Sequence, residues 1–325
     1  MNTLTVTESP LPTSTPAERL RRSAAAVRVS MHWWGTHRRL TNEQKEEVSA
    51  GYSADARFLT AGKRIIDVRH ESYRKLTSIR TLIINFWRSF TLPFTEPGVR
   101  LLRQSDIGSF VQNMEGLRGR LADAEAELDS AFDEIKADAR RRLGRLFNPR
   151  DYPAQVRGLF AVEWDFPSIE PPNYLMRIAP EVYEEERQRV ASRFDEAVRL
   201  AEQAFASEFA RLLAHLTERL GTTETGERRI FRDSAISNLT EFFDRFRHLN
   251  IHSNADLDGL VEQAQRLVQG ISPQNLRDND SLRRQINRDM SRVQAEVEGL
   301  LVTAPRRRII RTRPEVNGGA HAAAH

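Results

Sequence analysis

Apolar residues recur at helical spacing along two long stretches of this chain, 105–146 and 180–220. The first stretch opens at Ser105, and its apolar positions step by three and four residues through four heptads, a spacing typical of a coiled coil. Those positions are Ile107, Phe110, Met114, Leu117, Leu121, Ala124, Leu128, Ala131, Ile135 and Ala139.

The second stretch begins at Pro180, a favourable first helical residue, and stops before Gly221, a typical helix-ending residue. Each stretch has about 40 residues, or about 60 Å of helix, so the matched lengths favour antiparallel pairing. The sequence therefore predicts an all-α, elongated helical bundle built on a long antiparallel coiled-coil hairpin, 105–146 with 180–220. The second apolar stripe comprises Val190, Phe194, Ala197, Ala201, Phe205, Phe209, Leu212 and Leu216.

Shorter helical patterns flank the predicted hairpin. Thr41 and Gln44 have the spacing of a capping box, and a helix from about Ser72 ends before Pro93. Three further helices begin after capping residues and complete a single helical domain over 31–303. These capping residues are Asp233, Asn254 and Ser272.

An irregular connector, 147–179, separates the two long stretches. It contains "FAVEWDFPSIEPPNYL", which runs from Phe160 to Leu175. The three prolines of this segment, Pro167, Pro171 and Pro172, cannot extend a helix, because proline lacks the N–H group and its ring clashes with the preceding turn. The connector is therefore predicted to reverse the chain. Within it, "GLFAVEW" could form one short strand, with Leu159, Ala161 and Glu163 on one side.

The aromatic residues of the connector have two interpretations. They plug the open end of the hairpin, or, if they are exposed, they form a tip to which a partner protein docks. Phe160 is expected to take part only in the plug. The candidate docking residues are Trp164, Phe166 and Tyr174.

The two ends of the chain carry its positive charge. Residues 1–42 and 304–325 each carry a net +4, so the remainder carries −4 within a total of +4. Residues 1–30 are rich in Thr, Ser and Pro at their start and are predicted to be a disordered arm. Residues 304–325 are predicted to be a basic, low-complexity tail, in which arginines could neutralise nucleic-acid phosphates. These arginines are Arg306, Arg307, Arg308, Arg311 and Arg313.

Composition removes several classes of site. The chain has no cysteine, which excludes disulfides, thiolate zinc ligands and cysteine nucleophiles. No apolar run is long enough to cross a bilayer, and the N-terminus lacks the pattern of a signal peptide, so a cytoplasmic location is expected. No cofactor is expected.

Three residue patterns that could carry chemistry are each incomplete. Gly62-Lys63 lacks the upstream glycine of a phosphate-binding loop, because position 57 is Arg. His248 and His252 supply only two ligands for a metal, and the helix that would align them is predicted to end between them. The acids of the connector, Glu163, Asp165 and Glu170, have no third group for acid–base catalysis.

Four segments together resemble a family of bacterial and phage proteins known only as a coiled-coil domain of unknown function. They are "FWRSFTLPFTEPGVRLLRQSDI", "RRLGRLFNPRDYP", "FAVEWDFPSIEPPNYL" and "RRIFRDSAISNLTEFFDRFRHLN". The resemblance covers about residues 33–312 and implies no catalytic residues. Because relatives lie beside genes for MoxR-type AAA ATPases, the resemblance implies an AAA ATPase as a partner.

The function that these patterns favour is non-enzymatic. Long paired helices supply surface and reach without a concentration of reactive groups, as in a scaffold, adaptor or structural protein that acts through protein–protein interaction or self-association. The alternative is a nucleic-acid-binding accessory protein that uses the arginine-rich ends.

Overall fold

The computed structural model describes residues 14–221, 231 and 233–303, and it shows a mixed α/β protein. Its strands are β1 (Ala24–Trp33), β2 (His37–Arg39), β3 (Gly62–Arg64), β4 (Leu92–Pro93), β5 (Val99–Arg103) and β6 (Phe160–Asp165). Its helices are α1 (Pro16–Ser23), α2 (Asn42–Ala50), α3 (Glu71–Ser89), α4 (Ile107–Ser130), α5 (Phe132–Leu143), α6 (Leu175–Ile178), α7 (Pro180–Leu220), α8 (Ser234–Leu249), α9 (Ala255–Val268), α10 (Pro273–Asp278) and α11 (Asp280–Thr303). The prediction of an all-α fold is therefore wrong.

The described residues divide into two compact units. The first is formed within Met1–Phe205 and Thr240–Ala255, and the second within Ala206–Leu239 and Asp256–His325. All six strands belong to the first unit.

A four-stranded antiparallel sheet, in the order β4-β5-β1-β6, organises the first unit. Its central strand β1 pairs Val27 with Arg100 of β5 and Met31 with Val162 of β6. Strands β2 and β3 form a separate antiparallel pair. Residues 16–30 form α1 and most of β1, so the predicted disordered arm is wrong over that range. Its first 13 residues lie outside the described residues.

The alternation of side chains along β1 explains why it forms a strand. Val27, Val29, Met31 and Trp33 recur at every second position, which places them on one face. Val27 is fully buried in the core, and the other three pack against that core. On the opposite face Ala24 and Ala26 are also buried, whereas His32 at the far end of the strand is exposed. The sheet is thus covered on both faces at one end only.

The apolar stripe of the first long helix packs against α3 and β6. Phe110, Met114, Leu121, Ala124 and Leu128 of α4 lie in one buried cluster together with residues of α3 and β6. The stripe that the sequence assigns to a hairpin with 180–220 thus has other partners, because periodicity predicts an apolar face without specifying what covers it. The α3 and β6 residues in the cluster are Tyr73, Leu76, Ile79, Ile83, Phe160 and Val162.

Several helix ends are confirmed where the sequence carries a capping signal. Thr41 Oγ1 accepts from Gln44 N at 3.3 Å and Gln44 Oε1 accepts from Thr41 N at 3.2 Å, which completes the capping box of α2. Helix α7 begins at Pro180 and ends at Leu220. In the second unit Ser272 Oγ accepts from Asn275 N at 3.1 Å at the start of α10.

A buried arginine holds the end of α7 in the second unit. Arg283 Nε donates to Leu220 O at 2.8 Å, and its Nη2 donates to Arg219 O at 2.7 Å. The last carbonyls of a helix have no partner within the helix, so these bonds satisfy groups that would otherwise be left unpaired. Met290, Val293 and Val297 form the buried face of α11.

Candidate partner-docking surface

We call 160–182, which runs from within the connector into the start of α7, the aromatic segment, with 160–165 as its first half and 166–182 as its second half. The first half is the edge strand β6, which confirms the short strand predicted in "GLFAVEW". Phe160 is 4% exposed, and its ring lies edge-on to Trp33 with the centroids 4.9 Å apart. Glu125 of α4 fixes the start of the strand, because its Oε1 accepts from Leu159 N and from Phe160 N, each at 3.1 Å. These contacts anchor the first half to the core of the first unit.

Trp164 also belongs to the anchored half. It lies opposite Val29 in the sheet, and the guanidinium carbon of Arg118 lies 5.3 Å from its ring centroid. The indole is half-buried and packs against the core. Of the three predicted docking residues, Trp164 is therefore the one that the fold already uses.

The second half of the aromatic segment exposes its apolar side chains. Phe166 is 42% exposed and Tyr174 is 56% exposed. Three further apolar residues follow: Met176 is 53% exposed, Ile178 is 75% exposed and Val182 is 45% exposed. We call Tyr174, Met176, Ile178 and Val182 the 174–182 surface. Exposed clusters of this kind on a folded unit are typical of interaction sites.

Local backbone hydrogen bonds hold the 174–182 surface in shape. Ile178 N donates to Tyr174 O at 3.2 Å, and Ala179 N donates to Leu175 O at 2.8 Å, which forms the single turn of α6. Tyr183 N then donates to Ala179 O at 3.0 Å, where α7 begins. The apolar side chains are thus displayed by an ordered backbone.

An ion pair attaches the second half of the aromatic segment to α1. Arg21 Nε donates to Glu170 Oε1 at 2.7 Å, and Arg21 Nη2 donates to Glu170 Oε2. The hydrogen bond from Arg21 lowers the pKa of Glu170 below its usual value, although partial burial acts in the opposite direction. The same bond raises the pKa of Arg21. Adjacent Pro171 is buried, so the attachment lies before the exposed stretch.

The three acids of the connector do not converge. Glu163 and Asp165 are exposed on the same side of β6, as strand alternation requires, and His32 Nε2 lies 3.8 Å from Glu163 Oε2. Glu170 is occupied by Arg21. No cluster of three metal-binding side chains occurs among the residues that the structure describes.

The other candidate residues have structural roles. Lys63 lies in β3 with its side chain 3% exposed, and its Nζ is 2.8 Å from Asp151 Oδ2 and donates to Leu146 O at 2.6 Å. His248 lies in the last turn of α8, where its Nε2 is 2.8 Å from Asp106 Oδ2. His252 lies beyond the end of that helix at a backbone φ of 49°, so the two histidines do not share a helix face.

A cavity of about 690 Å³ lies between residues 64–70 and α5. Ile65, Ile66 and Ile135 contribute apolar lining, and charged residues that pair with one another stand around it. Asp67 binds Arg142, which is also 2.8 Å from Asp138. The backbone N–H of Arg69 and the Arg142 side chain lower the pKa of Asp67 to about 2. These ion pairs link the loop to α5.

The five arginines of the predicted tail, 306–313, lie outside the described residues. Their proposed contact with nucleic acid therefore stays a prediction. Among the described helices, none combines the length and apolar character needed to cross a membrane.

Sequence reasoning missed Met176, Ile178 and Val182. A signal was present, because Tyr174, Met176 and Ile178 occur at every second position next to three prolines, so the three cannot all lie on one face of a helix. Apolar residues that fit no periodic face are candidates for exposure.

Comparison of the chain with protein-family models, with curated proteins and with solved structures finds no match.

Proposed function

We propose that this protein is a non-enzymatic adaptor or scaffold that binds a partner protein through the 174–182 surface. The observation that carries the proposal is the exposure of four apolar side chains, from 45% at Val182 to 75% at Ile178, within one short stretch. Burying such side chains against a partner contributes about 25 cal/mol for each Å² of apolar area removed from water.

The surroundings of the 174–182 surface support a protein partner. Single exposed apolar residues are common on proteins, but a group of them on an ordered backbone is less so. Tyr174 combines a large apolar ring with a hydroxyl group, a combination enriched in protein interfaces. Glu181 and Glu185 flank Val182 and are exposed, which supplies a polar rim.

In this proposal the partner binds a short exposed segment of a mixed α/β unit, and not the surface of a long helical hairpin. The resemblance to proteins encoded beside AAA ATPases suggests an ATPase as the first partner to test. We propose a cytoplasmic location as part of the same hypothesis.

The test is site-specific photo-crosslinking in the native host. A photoreactive phenylalanine analogue replaces Ile178 in the full-length protein, and crosslinked proteins are identified by mass spectrometry. We expect one or a few proteins to be crosslinked specifically at position 178. The same proteins should be lost from pull-downs with a separate Ile178→Asp variant, because a carboxylate does not enter an apolar interface without a large cost.

Phe58 provides the matched control, since it is 89% exposed in the same unit and lies outside the connector. Phe58→Asp should leave capture intact, and the analogue at position 58 should give no specific adduct. Equal loss of capture in both variants, or adducts at both positions, would contradict the proposal. If capture instead requires residues 304–325 and is lost after nuclease treatment, the nucleic-acid alternative replaces it.

A further inference from the structure

The two edges of the four-stranded sheet are protected unequally. Strand β4, at one edge, has two residues, and one of them is Pro93, which has no N–H group to offer another strand. Strand β6, at the other edge, has six residues with neither proline nor lysine among them. Proteins normally protect long edges with such devices, because an open edge accepts further strands.

The register of β6 identifies which backbone groups face outward. Trp34 N donates to Leu159 O at 3.2 Å, so Leu159 O points towards β1 and this pair stands at a hydrogen-bonded position of the ladder. Hydrogen-bonded and non-hydrogen-bonded pairs alternate along an antiparallel ladder. The pairs Met31–Val162 and Val29–Trp164 are therefore of the second kind. The N–H and C=O groups of Val162 and Trp164 point away from β1.

The outward groups at the start of β6 are partly occupied, and the later ones are free. Phe160 N donates to Glu125 Oε1. No hydrogen bond to the backbone of Val162 or Trp164 from outside the sheet is found within 14–221, 231 and 233–303. An incoming strand would thus find donors and acceptors at two alternate positions.

The side chains on the open edge specify the chemistry of the partner. Glu163 and Asp165 project from one face, and both are exposed. They would occupy non-hydrogen-bonded positions relative to an added strand, where opposing side chains lie closest. On the other face Trp164 and Arg118 of α4 present an aromatic surface that carries a positive charge. Basic residues therefore fit the first face, and apolar residues fit the second.

We propose that the β6 edge binds an extended segment of a partner protein in which basic and apolar residues alternate, adding a fifth strand to the sheet. Main-chain hydrogen bonds to Val162 and Trp164 supply affinity, and the carboxylates of Glu163 and Asp165 select the basic side chains. A second copy of this chain fits less well, because pairing two β6 strands would bring their acids together on one face. The proposal rests on a different surface from residues 174–182 and does not depend on them.

The experiment uses a synthetic, fluorescein-labelled peptide of alternating arginine and valine, titrated with the full-length protein at about 50 mM salt, where charge attraction is little screened. Anisotropy reports binding. The double variant Glu163→Lys, Asp165→Lys should weaken binding by roughly tenfold or more, since two attractive cross-strand pairs become repulsive. The matched control is Glu43→Lys, Glu46→Lys, which alters net charge by the same amount at exposed positions of α2, outside both β6 and the 174–182 surface, and should change binding by less than about twofold.

A second measurement needs no protein variant. Two further versions of the peptide carry N-methyl groups on alternate amides: one on every arginine amide, the other on every valine amide. In each version, one edge of the extended peptide cannot donate hydrogen bonds. One methylated peptide should lose binding to wild-type protein, whereas the other should retain it. Equal weakening by both double variants would show that charge attraction alone causes binding, and would overturn the proposal. Equal binding of both methylated peptides would also overturn it. A wild-type dimer that the Glu163→Lys, Asp165→Lys change disrupts would also overturn it, by assigning the edge to a second copy.

An Ile178→Asp variant separates this proposal from the proposed function. Because Ile178 lies outside β6, this variant should bind the peptide as wild type does. Peptide binding that fails in wild-type protein while crosslinking at Ile178 succeeds would refute only the strand-addition proposal.

Discussion

The two halves of the aromatic segment, 160–165 and 166–182, contain similar side chains and meet opposite environments. In 160–165, Phe160 and Val162 are buried, and Trp164 is half-buried beneath Arg118. In 166–182, the apolar side chains from Phe166 to Val182 include five that are exposed. The difference lies in backbone pairing: the first half is a strand bonded to β1, whereas the backbone hydrogen bonds found for the second half are local and its attachment to α1 is the Arg21–Glu170 ion pair. In this segment, burial of an apolar side chain therefore depends on whether its backbone pairs with a neighbouring strand, and not on the type of residue.

Phe160 provides the largest test of this comparison. Phe160→Ala should lower the free energy of unfolding by about 3–5 kcal/mol, because it removes a buried ring and leaves a cavity against Trp33. Phe166→Ala, in the open half, should change it by less than about 0.5 kcal/mol. Urea unfolding followed by tryptophan fluorescence suits both variants, since all four tryptophans lie in the first unit. Similar losses in the two variants would remove the distinction between the halves.

Glu125 tests whether the start of β6 depends on its side-chain acceptor. Glu125→Ala should cost about 1–3 kcal/mol, because the N–H groups of Leu159 and Phe160 both lose a charged acceptor. Glu125→Gln retains an oxygen acceptor and should cost less. Asp123→Ala, an exposed site on the same helix, serves as the control and should be nearly neutral. If Glu125→Ala is equally neutral, β6 is held by its pairing with β1 alone.

The ends of the helices could be predicted from the sequence, but most of the sheet could not. Caps are local signals, so Thr41, Pro180 and Ser272 identified helix starts from a few residues. Strand β5 pairs with β1 across a long separation in sequence, with Ala25 opposite Leu102, and no local pattern specifies that partner. The alternation in β1 was present at Val27, Val29 and Met31, but its alanine- and arginine-rich start also fits a disordered arm.

The sequence predicted where in the chain the candidate site lies, but only some of the residues that form it. The prolines predicted an irregular connector over 147–179, within which the structure has β6 and the single turn of α6. Phe166 and Tyr174 are exposed as the docking interpretation requires. The sequence also predicts Trp164 on this surface, because an aromatic residue next to acidic residues has the same sequence pattern whether its side chain faces the core or the solvent. Its burial depends on α4, whose Arg118 lies 46 residues away in sequence.

Arg118 offers a smaller test within the anchored half. Arg118→Gln should cost about 0.5–1 kcal/mol, since it removes the cation from the ring of Trp164. The change should also alter the emission of Trp164, which can be isolated by comparison with a Trp164→Phe background. An unchanged stability with unchanged emission would show that the contact between Arg118 and Trp164 has no energetic role.

Glu170 gives the smallest expected effect and tests how the open half is attached. The hydrogen bond from Arg21 lowers the pKa of Glu170 in the folded protein below its usual 4.5. A carboxyl group with a lowered folded pKa stabilises the fold above its unfolded pKa, and that contribution is lost as the pH falls through the folded value. Both side chains are partly exposed, so Glu170→Gln should cost less than about 1 kcal/mol at pH 7.

The diagnostic feature is the dependence on pH rather than the size of the loss. The difference in stability between wild type and Glu170→Gln should be constant above the unfolded pKa of Glu170 and should shrink below it, as protonation removes the ion pair from the wild type. Thermal unfolding across this range, with Glu185→Gln as an exposed control on α7, measures the difference. A loss that persists unchanged in acid would assign the effect to packing around Pro171 instead of the charge on Glu170. The open half would then be attached by the packing of Pro171 and not by an ion pair.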